Sequence, residues 1–222
     1  MDKPEIIITG DGSSTLYVGA LDERYHSANG AFAESQHVFL KNGLNYHAGR
    51  KSLSVLEIGF GTGLNALLTA LKSEEENIHI DYCTLEKYPL GVEIISRLNY
   101  GQRLGERAAI IFEAIHSAPW REKTLICPTF SLEKIEADLT AGFPALDKHF
   151  DVIYFDAFGP DKQPDMWQPP LFAKIFSLTA PGGVITTYSA KGEVRRRLAA
   201  AGYRMQRLEG PPGKREMLRG VK

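Results

Sequence analysis

Apolar and polar positions along the chain follow two periods in turn. Short apolar runs bounded by glycine, proline or acidic residues recur at LSVLEI (53–58), IHIDYCTLE (78–86), FSLEKIEADLT (130–140), DVIYFDAF (151–158) and VITTYS (184–189). Between them lie stretches of helical spacing: LNALLTALK after Gly63, PLGVEIISRLNYGQRLG (89–105), LFAKIFSLTA (171–180) and VRRRLAAAG, which ends at the cap residue Gly202. Buried strands alternating with helices predict an α/β fold with a mostly parallel sheet. The two ends depart from this scheme. EIIITGDGSSTLYVG (5–19) is β-rich around Asp11-Gly12 and predicts a hairpin. Ala33 to Leu44 then predicts a helix stopped by Asn42-Gly43. At the other end, YRMQRLEG and KREMLRGV, divided by Gly210-Pro211-Pro212-Gly213, predict an antiparallel pair added to the sheet. The segment 105–128 holds helix-like pieces and no candidate site. The expected organisation is an N-terminal extension over residues 1–50, hairpin and helix, packed on a core over residues 51–222. That core is expected to hold a seven-stranded sheet with an antiparallel C-terminal strand.

The first run with chemistry in it is LSVLEIGFGTG, Leu53 to Gly63: a strand, an acid and three alternate glycines leading into a helix. A dinucleotide fingerprint, G-x-G-x-x-G, brings a helix N-terminus onto a pyrophosphate. Here the spacing is Glu57-x-Gly59-x-Gly61-x-Gly63. A carboxylate inside the motif repels a diphosphate but suits a cationic amino group, and the glycines let the backbone pass close to an adenosine. The inferred ligand is S-adenosylmethionine, bound in a Rossmann-like fold; the plainer reading is a glycine-rich turn of some other α/β protein. A nicotinamide dehydrogenase is disfavoured by the position of the third glycine. In this layout the second strand ends in an acid that takes the ribose hydroxyls, and Glu86 occupies that position. An exposed strand-end glutamate is the competing reading. Asp138, closing the next strand, is the candidate acceptor for the adenine amino group.

A second informative stretch is FDVIYFDAFGPDKQPDMW, residues 150–167. Its strand delivers Asp156 to the end of the sheet where open α/β folds bind ligands, which makes Asp156 the candidate catalytic residue. Pro160, Pro164, Pro169 and Pro170 are expected to keep the following chain out of helix until about Leu171. The intervening loop, with Phe158, Lys162, Asp165, Met166 and Trp167, is a candidate substrate wall. So is the dense polar and aromatic set Tyr25, His26, Glu34 and His37, although a satisfied structural role is the commoner one for a histidine.

Composition bounds these readings. With 222 residues, 43% hydrophobic and 24% charged, the chain is the size and make-up of one globular α/β domain. No apolar run approaches membrane-helix length and residues 1–20 lack a signal-peptide layout, so a cytoplasmic protein without membrane contact is expected. Cys83 and Cys127 read as reduced packing residues, and the six histidines show no ligand spacing, so no metal is expected. The net charge of -1 argues against nucleic acid until its distribution is considered. Residues 191–222 carry ten basic and three acidic residues, a net +7, against -8 for residues 1–190. Such polarity equips one face for a phosphate backbone. A solvated helix face with edge-strand charges is the alternative.

LEIGFGTGLNALLT, FDAFGPDKQPDMW, YSAKGEVRRRLAAAGY and GPPGKREMLRG together resemble the methyltransferase domain of the MnmC family, which acts in tRNA 5-methylaminomethyl-2-thiouridine biosynthesis. The likeness runs from about Tyr25 to Leu218. It implies a class I S-adenosylmethionine-dependent methyltransferase that converts 5-aminomethyl-(2-thio)uridine to 5-methylaminomethyl-(2-thio)uridine at the tRNA wobble position. It also implies Asp156 as the family's strand-end acid and Glu57, Gly59, Gly61 and Gly63 as its cofactor loop. Arg195, Arg196, Arg197, Lys214 and Arg215 become candidates for tRNA phosphates. The resemblance is to a stand-alone form without the FAD-dependent oxidoreductase domain, so a separate enzyme is expected to supply the aminomethyl substrate. The alternatives are a class I methyltransferase acting on a small-molecule or protein amine, and a non-catalytic S-adenosylmethionine-binding subunit.

Overall fold

A computed structural model describes residues 4–222; the first three residues of the expected extension lie outside that range. The extension begins with strands β1 (Glu5–Ile8) and β2 (Ser14–Val18), paired antiparallel, to which the short β3 (Glu23–Arg24) is added. Asp11 closes the hairpin. Its Oδ1 accepts from the Ser13 N–H at 3.0 Å and from the Thr9 hydroxyl at 2.9 Å, the local bonding that favours aspartate in turns. Its Oδ2 accepts from the Ala33 N–H at 3.0 Å, inside the first turn of α1 (Ala31–Ser35). One carboxylate thus fixes the hairpin and the helix start together. The helix expected to reach Leu44 widens after Ser35 into a π turn over Gln36–Lys41.

The main sheet has five parallel strands in its middle. Between β4 (Ser52–Ile58) and β5 (His79–Glu86) runs α2 (Leu64–Glu76). Two short helices, α3 (Val92–Ile95) and α4 (Tyr100–Leu104), and the longer α5 (Glu106–Ser117) lead to the hairpin β6 (Lys123–Cys127) and β7 (Phe130–Glu136). After β8 (Phe150–Phe155) come α6 (Pro169–Leu178), β9 (Thr179–Thr187) and α7 (Gly192–Ala201). β10 (Arg204–Glu209) and β11 (Glu216–Val221) then close the edge as an antiparallel pair. The strand order is β10-β11-β9-β8-β4-β5-β7-β6.

Side-chain alternation along β4 divides the core. Leu53 and Val55 belong to the cluster under α2 and α5, while Leu56 and Ile58 belong to the one under α6 and α7. Leu16, Val38, Phe39 and Leu44 of the extension are part of the first cluster, so the extension shares the core of the sheet.

Three expectations change. The sheet has eight strands rather than seven, because β6 forms an antiparallel edge beside β7. With a single partner and Leu125 68% exposed, β6 lacks the buried apolar pattern that marks a central strand. The stretch 89–105 is two helices, interrupted where the Asn99 side chain takes the Ser14 N–H at 2.8 Å and donates to the Gly12 carbonyl at 2.9 Å. Pro169 and Pro170 begin α6 instead of delaying it, since the first helical turn needs no N–H from proline.

Candidate active site

The first parallel strand, β4, has β5 on one side and β8 on the other, so the chain reverses its direction of winding between β4 and β8. Ligands of open α/β sheets bind at the carboxyl ends of strands at such a point. A cavity of about 600 Å³ lies there, lined by the glycine loop, the ends of β5, β7 and β8, and the extension.

The loop after β4 explains its glycines. Gly59 has φ +93°, and a Cβ on it would lie 2.6 Å from the Asp156 carbonyl oxygen. Gly61 has φ +51°, with the Tyr25 ring 3.0 Å from the position of a Cβ. Both line the cavity. Gly63, φ +75°, does not; it turns the chain into α2 with His116 and Phe60 against it. From behind, the His116 Nε2 lies 3.2 Å from the Thr62 carbonyl. Lys134, 1% exposed, donates to the Ile115 and His116 carbonyls at the end of α5, with its ammonium 5.8 Å from the Phe60 ring and 5.1 Å from that of Trp120.

Glu57 is not where a cationic ligand group would meet it. It shares the parity of Val55, is 0% exposed beneath the loop, and accepts from the Thr84 hydroxyl at 2.8 Å. Burial, with the Asp156 carboxylate adding to it, pushes its carboxyl up to about 8, so it is uncharged at neutral pH. The carboxylates that do line the cavity are Glu23, Glu34, Glu86, Asp138, Asp156 and Asp165, of which Glu86, Asp138, Asp156 and Glu34 bear on the argument. Glu86 is held by two backbone amides, Gly61 at 3.0 Å and Tyr88 at 2.8 Å. Its remaining lone pairs are free to accept from hydroxyls. Asp138 pairs with Lys87 at 2.7 Å and accepts from the Thr140 N–H and hydroxyl, and these partners hold it down at about 2.

Asp156 continues the β4–β8 ladder through its N–H to the Ile58 carbonyl at 2.9 Å and projects a half-buried carboxyl into the cavity. Desolvation first, then the negative charge of Glu34, pushes that carboxyl up to about 7. A hydrogen bond from Asn65 Nδ2 at 2.9 Å and the Lys214 ammonium act in the opposite sense. Asn65 is held in turn by the Ser35 hydroxyl.

The loop after β8 contributes unevenly. Phe158 faces the cavity and packs edge-on against Tyr25, with ring centroids 5.2 Å apart. Lys162 faces it too and donates to the Leu21 carbonyl at 2.8 Å, tying loop to extension. Trp167 is no wall of the cavity: it is 0% exposed in the core under α6, and its Nε1 donates to the Phe158 carbonyl at 2.7 Å. Its part is to anchor the backbone on which Phe158 stands.

The basic candidates also separate. Lys214 turns inward, 2.6 Å from Glu34 and 4.1 Å from the centre of the Tyr188 ring, instead of outward toward solvent phosphate. Arg215 is exposed on a shallow groove that adjoins the cavity and is shared with Tyr188, Lys191 and Lys214. Arg196 is exposed on α7, its guanidinium lying back toward Gly192, while Arg195 is half-buried on the same helix and borders neither space. Arg197 is bound to the Trp167 carbonyl at 3.0 Å.

Asn65 and Tyr188 are cavity residues that motif reading does not single out. An asparagine in the second position of a helix that opens on apolar residues is a signal that was present; Tyr188 ends the run VITTYS and opens the segment YSAKGEVRRRLAAAGY, where nothing in its residue type marks it as a cavity residue. Among the described residues no cluster of three metal-ligating side chains occurs and no helix is long and apolar enough to cross a membrane.

A Rossmann-like sheet, a glycine cradle with no room for a side chain and strand-end carboxylates together define a nucleoside-binding enzyme fold. Residues 116–222 match the family described as S-adenosyl-L-methionine-dependent methyltransferase, and the chain is a methyltransferase of that class. Within the class it is similar to the tRNA 5-methylaminomethyl-2-thiouridine biosynthesis bifunctional protein MnmC. Identity is 33% to that of Cupriavidus metallidurans, covering 98% of this chain and 34% of the relative. It is 33% to that of Pseudomonas aeruginosa, covering 91% and 33%. The chain spans about a third of the length of these relatives. In fold it is similar to MNMC2 from Aquifex aeolicus, with a TM-score of 0.84 at 24% identity over 99% of this chain and 70% of that one. The spermidine synthase of Thermotoga maritima shares the fold at a TM-score of 0.59 and 15% identity, over 100% and 70%.

Proposed function

We propose that this chain N-methylates 5-aminomethyl-(2-thio)uridine at the wobble position of tRNA, giving 5-methylaminomethyl-(2-thio)uridine. The observation that carries the reading is Asp156, a strand-end carboxyl beside the glycine cradle, in a chain similar over nearly all its length to proteins named for methylaminomethyl-thiouridine biosynthesis. Residues 51–222 form the catalytic domain and residues 1–50 an extension that completes the substrate side.

The residues fit the cofactor. Gly59 and Gly61 offer bare backbone, Glu86 has acceptor positions left for the ribose hydroxyls, and Asp138 stands where the adenine amino group would be received. When bound, S-adenosyl-L-methionine supplies a sulfonium methyl group: the amine lone pair forms the C–N bond as the C–S pair stays on sulfur. The protein's own task is to deliver that lone pair. An alkylamine of the lysine type, with a pKa of about 10, arrives as an ammonium ion and must lose a proton first. Asp156 is the proton acceptor and orienting group; burial gives it the proton affinity such a role requires. Phe158 and Lys162 form the far wall, and the groove carrying Arg215 receives the flanking phosphate backbone.

The test is transfer of labelled methyl from S-adenosyl-L-methionine to two tRNA pools, one bearing aminomethyluridine at the wobble position and one unmodified. Label is expected in the first pool alone, and Asp156→Asn is expected to lose turnover while keeping cofactor affinity by calorimetry. Cofactor binding without label in either pool would redirect the reading to small-molecule or protein amines.

A further inference from the structure

The helix of the extension, α1, reaches Asp156 by two routes. Ser35 bonds Asn65, which bonds Asp156. Glu34, 6% exposed and facing the cavity, pairs with Lys214, whose ammonium lies over the Tyr188 ring; the Tyr188 hydroxyl donates at 2.9 Å to the carbonyl of Ala157, next in the chain to Asp156. Glu34 also accepts from the Ser27 N–H at 2.7 Å, so its position is fixed from both sides. The two charges are brought together from residues 180 apart in the chain.

We infer that Glu34 and Lys214 are positioning residues that set the proton affinity of Asp156, Glu34 raising it and Lys214 lowering it. The inference rests on Asp156 being the proton acceptor of the proposed reaction. In that step an ammonium N–H bond breaks, its electron pair staying on nitrogen, and an O–H bond forms on the Asp156 carboxylate. Glu34, Lys214 and Asp156 line one cavity, and opposite charges placed there act on such a step in opposite senses. The groups that interact with this carboxyl are Glu34 from α1, Lys214 from the β10–β11 turn, Tyr188 after β9, Glu57 from β4 and Tyr82 from β5. His26 beside β3 faces Glu34 and Lys214, Glu23 of β3 faces Tyr188, and Lys191, Arg215 and Glu216 share the outer groove with Lys214. Glu57 and His26 are uncharged around neutrality and both tyrosines are neutral. Glu23, Lys191, Arg215 and Glu216 stand beside the partners and not beside Asp156 itself, so of the groups acting on that carboxyl the Glu34–Lys214 pair carries the charge.

The experiment follows the side-chain carboxyl carbon of Asp156 by NMR across pH in the apo protein, its resonance assigned by its absence from Asp156→Asn. Glu34→Gln is expected to move its titration down by about one pH unit and Lys214→Met to move it up by about as much. Lys214→Arg should leave it in place. The double variant Glu34→Gln/Lys214→Met, which strands no buried charge, should return it near the wild-type position. The acidic limb of kcat against pH, measured on aminomethyluridine tRNA, should follow the same opposed shifts. A titration unmoved in either folded single variant, or moved the same way in both, overturns the inference. Failure of wild-type turnover instead overturns the functional reading and leaves the NMR result to decide this one.

Discussion

Glu57 is the residue whose meaning changes most between sequence and structure. In the sequence it is a charge beside a glycine loop; in the fold it is a buried acid with one hydroxyl partner. Its titration moves from an ordinary 4.5 to about 8 on folding. Between those values the folded state holds a proton that the unfolded chain has released, so stability falls as pH rises through that window. Glu57→Gln is expected to flatten the pH dependence of the denaturation midpoint between pH 5 and 8 and to raise the midpoint at the alkaline end. Equal slopes in both proteins would show that Glu57 is ionised in the fold. Asp156 was legible because a strand end followed by a glycine-proline turn has one place to go in an open α/β sheet. Tyr188, Asn65 and the inward turn of Lys214 were not, because they depend on which segments distant in sequence come to lie together.

At the level of elements the strand–loop–helix unit is set by backbone geometry more than by side chains. Gly59→Ala places a methyl group in a left-handed conformation and against the Asp156 carbonyl, backbone that cannot turn aside. The strain alone is on the order of 1–3 kcal/mol, and relief would displace either the cradle or the strand end carrying the acid. The expected result is cofactor affinity lower by more than about tenfold, with a lower melting temperature. Gly182→Ala, also at positive φ but with open space around it, should cost stability and leave affinity unchanged. Calorimetric titration of both variants separates cradle from strain. Among the parallel strands β8 was readable because it is buried on both faces and apolar nearly throughout, and β7 because it alternates with period two; β6 is a five-residue edge with one partner and Leu125 exposed, which leaves it little pattern to read.

For the whole molecule, the uneven charge is only partly available to a partner. Of the basic C-terminal residues, Arg197, Lys214, Arg219 and Lys222 are committed to internal bonds. Arg196 and Arg215 are exposed, and Arg215 stands on the groove beside the cavity mouth. Reversing both to glutamate is expected to weaken tRNA binding at low salt and to make the slope of log affinity against log salt shallower by about 0.7–0.9 for each phosphate no longer neutralised. Lys51→Glu, at the opposite end of the sheet, should leave the slope unchanged; equal effects from both changes would mean non-specific attraction. The cavity wall has a different consequence for how the protein assembles. Its closing bonds join Leu21 to Lys162 and Glu34 to Lys214, 141 and 180 positions apart. Pairings of such high order carry the largest loop-closure entropy and cannot form until the sheet beneath them is aligned. During synthesis these two bonds therefore wait for most of the chain, long after the extension's earlier partners, Asn65 and Asn99, have emerged. The enclosure is the last part of the protein to be built, and a ligand filling it acts as the final fastening of the fold.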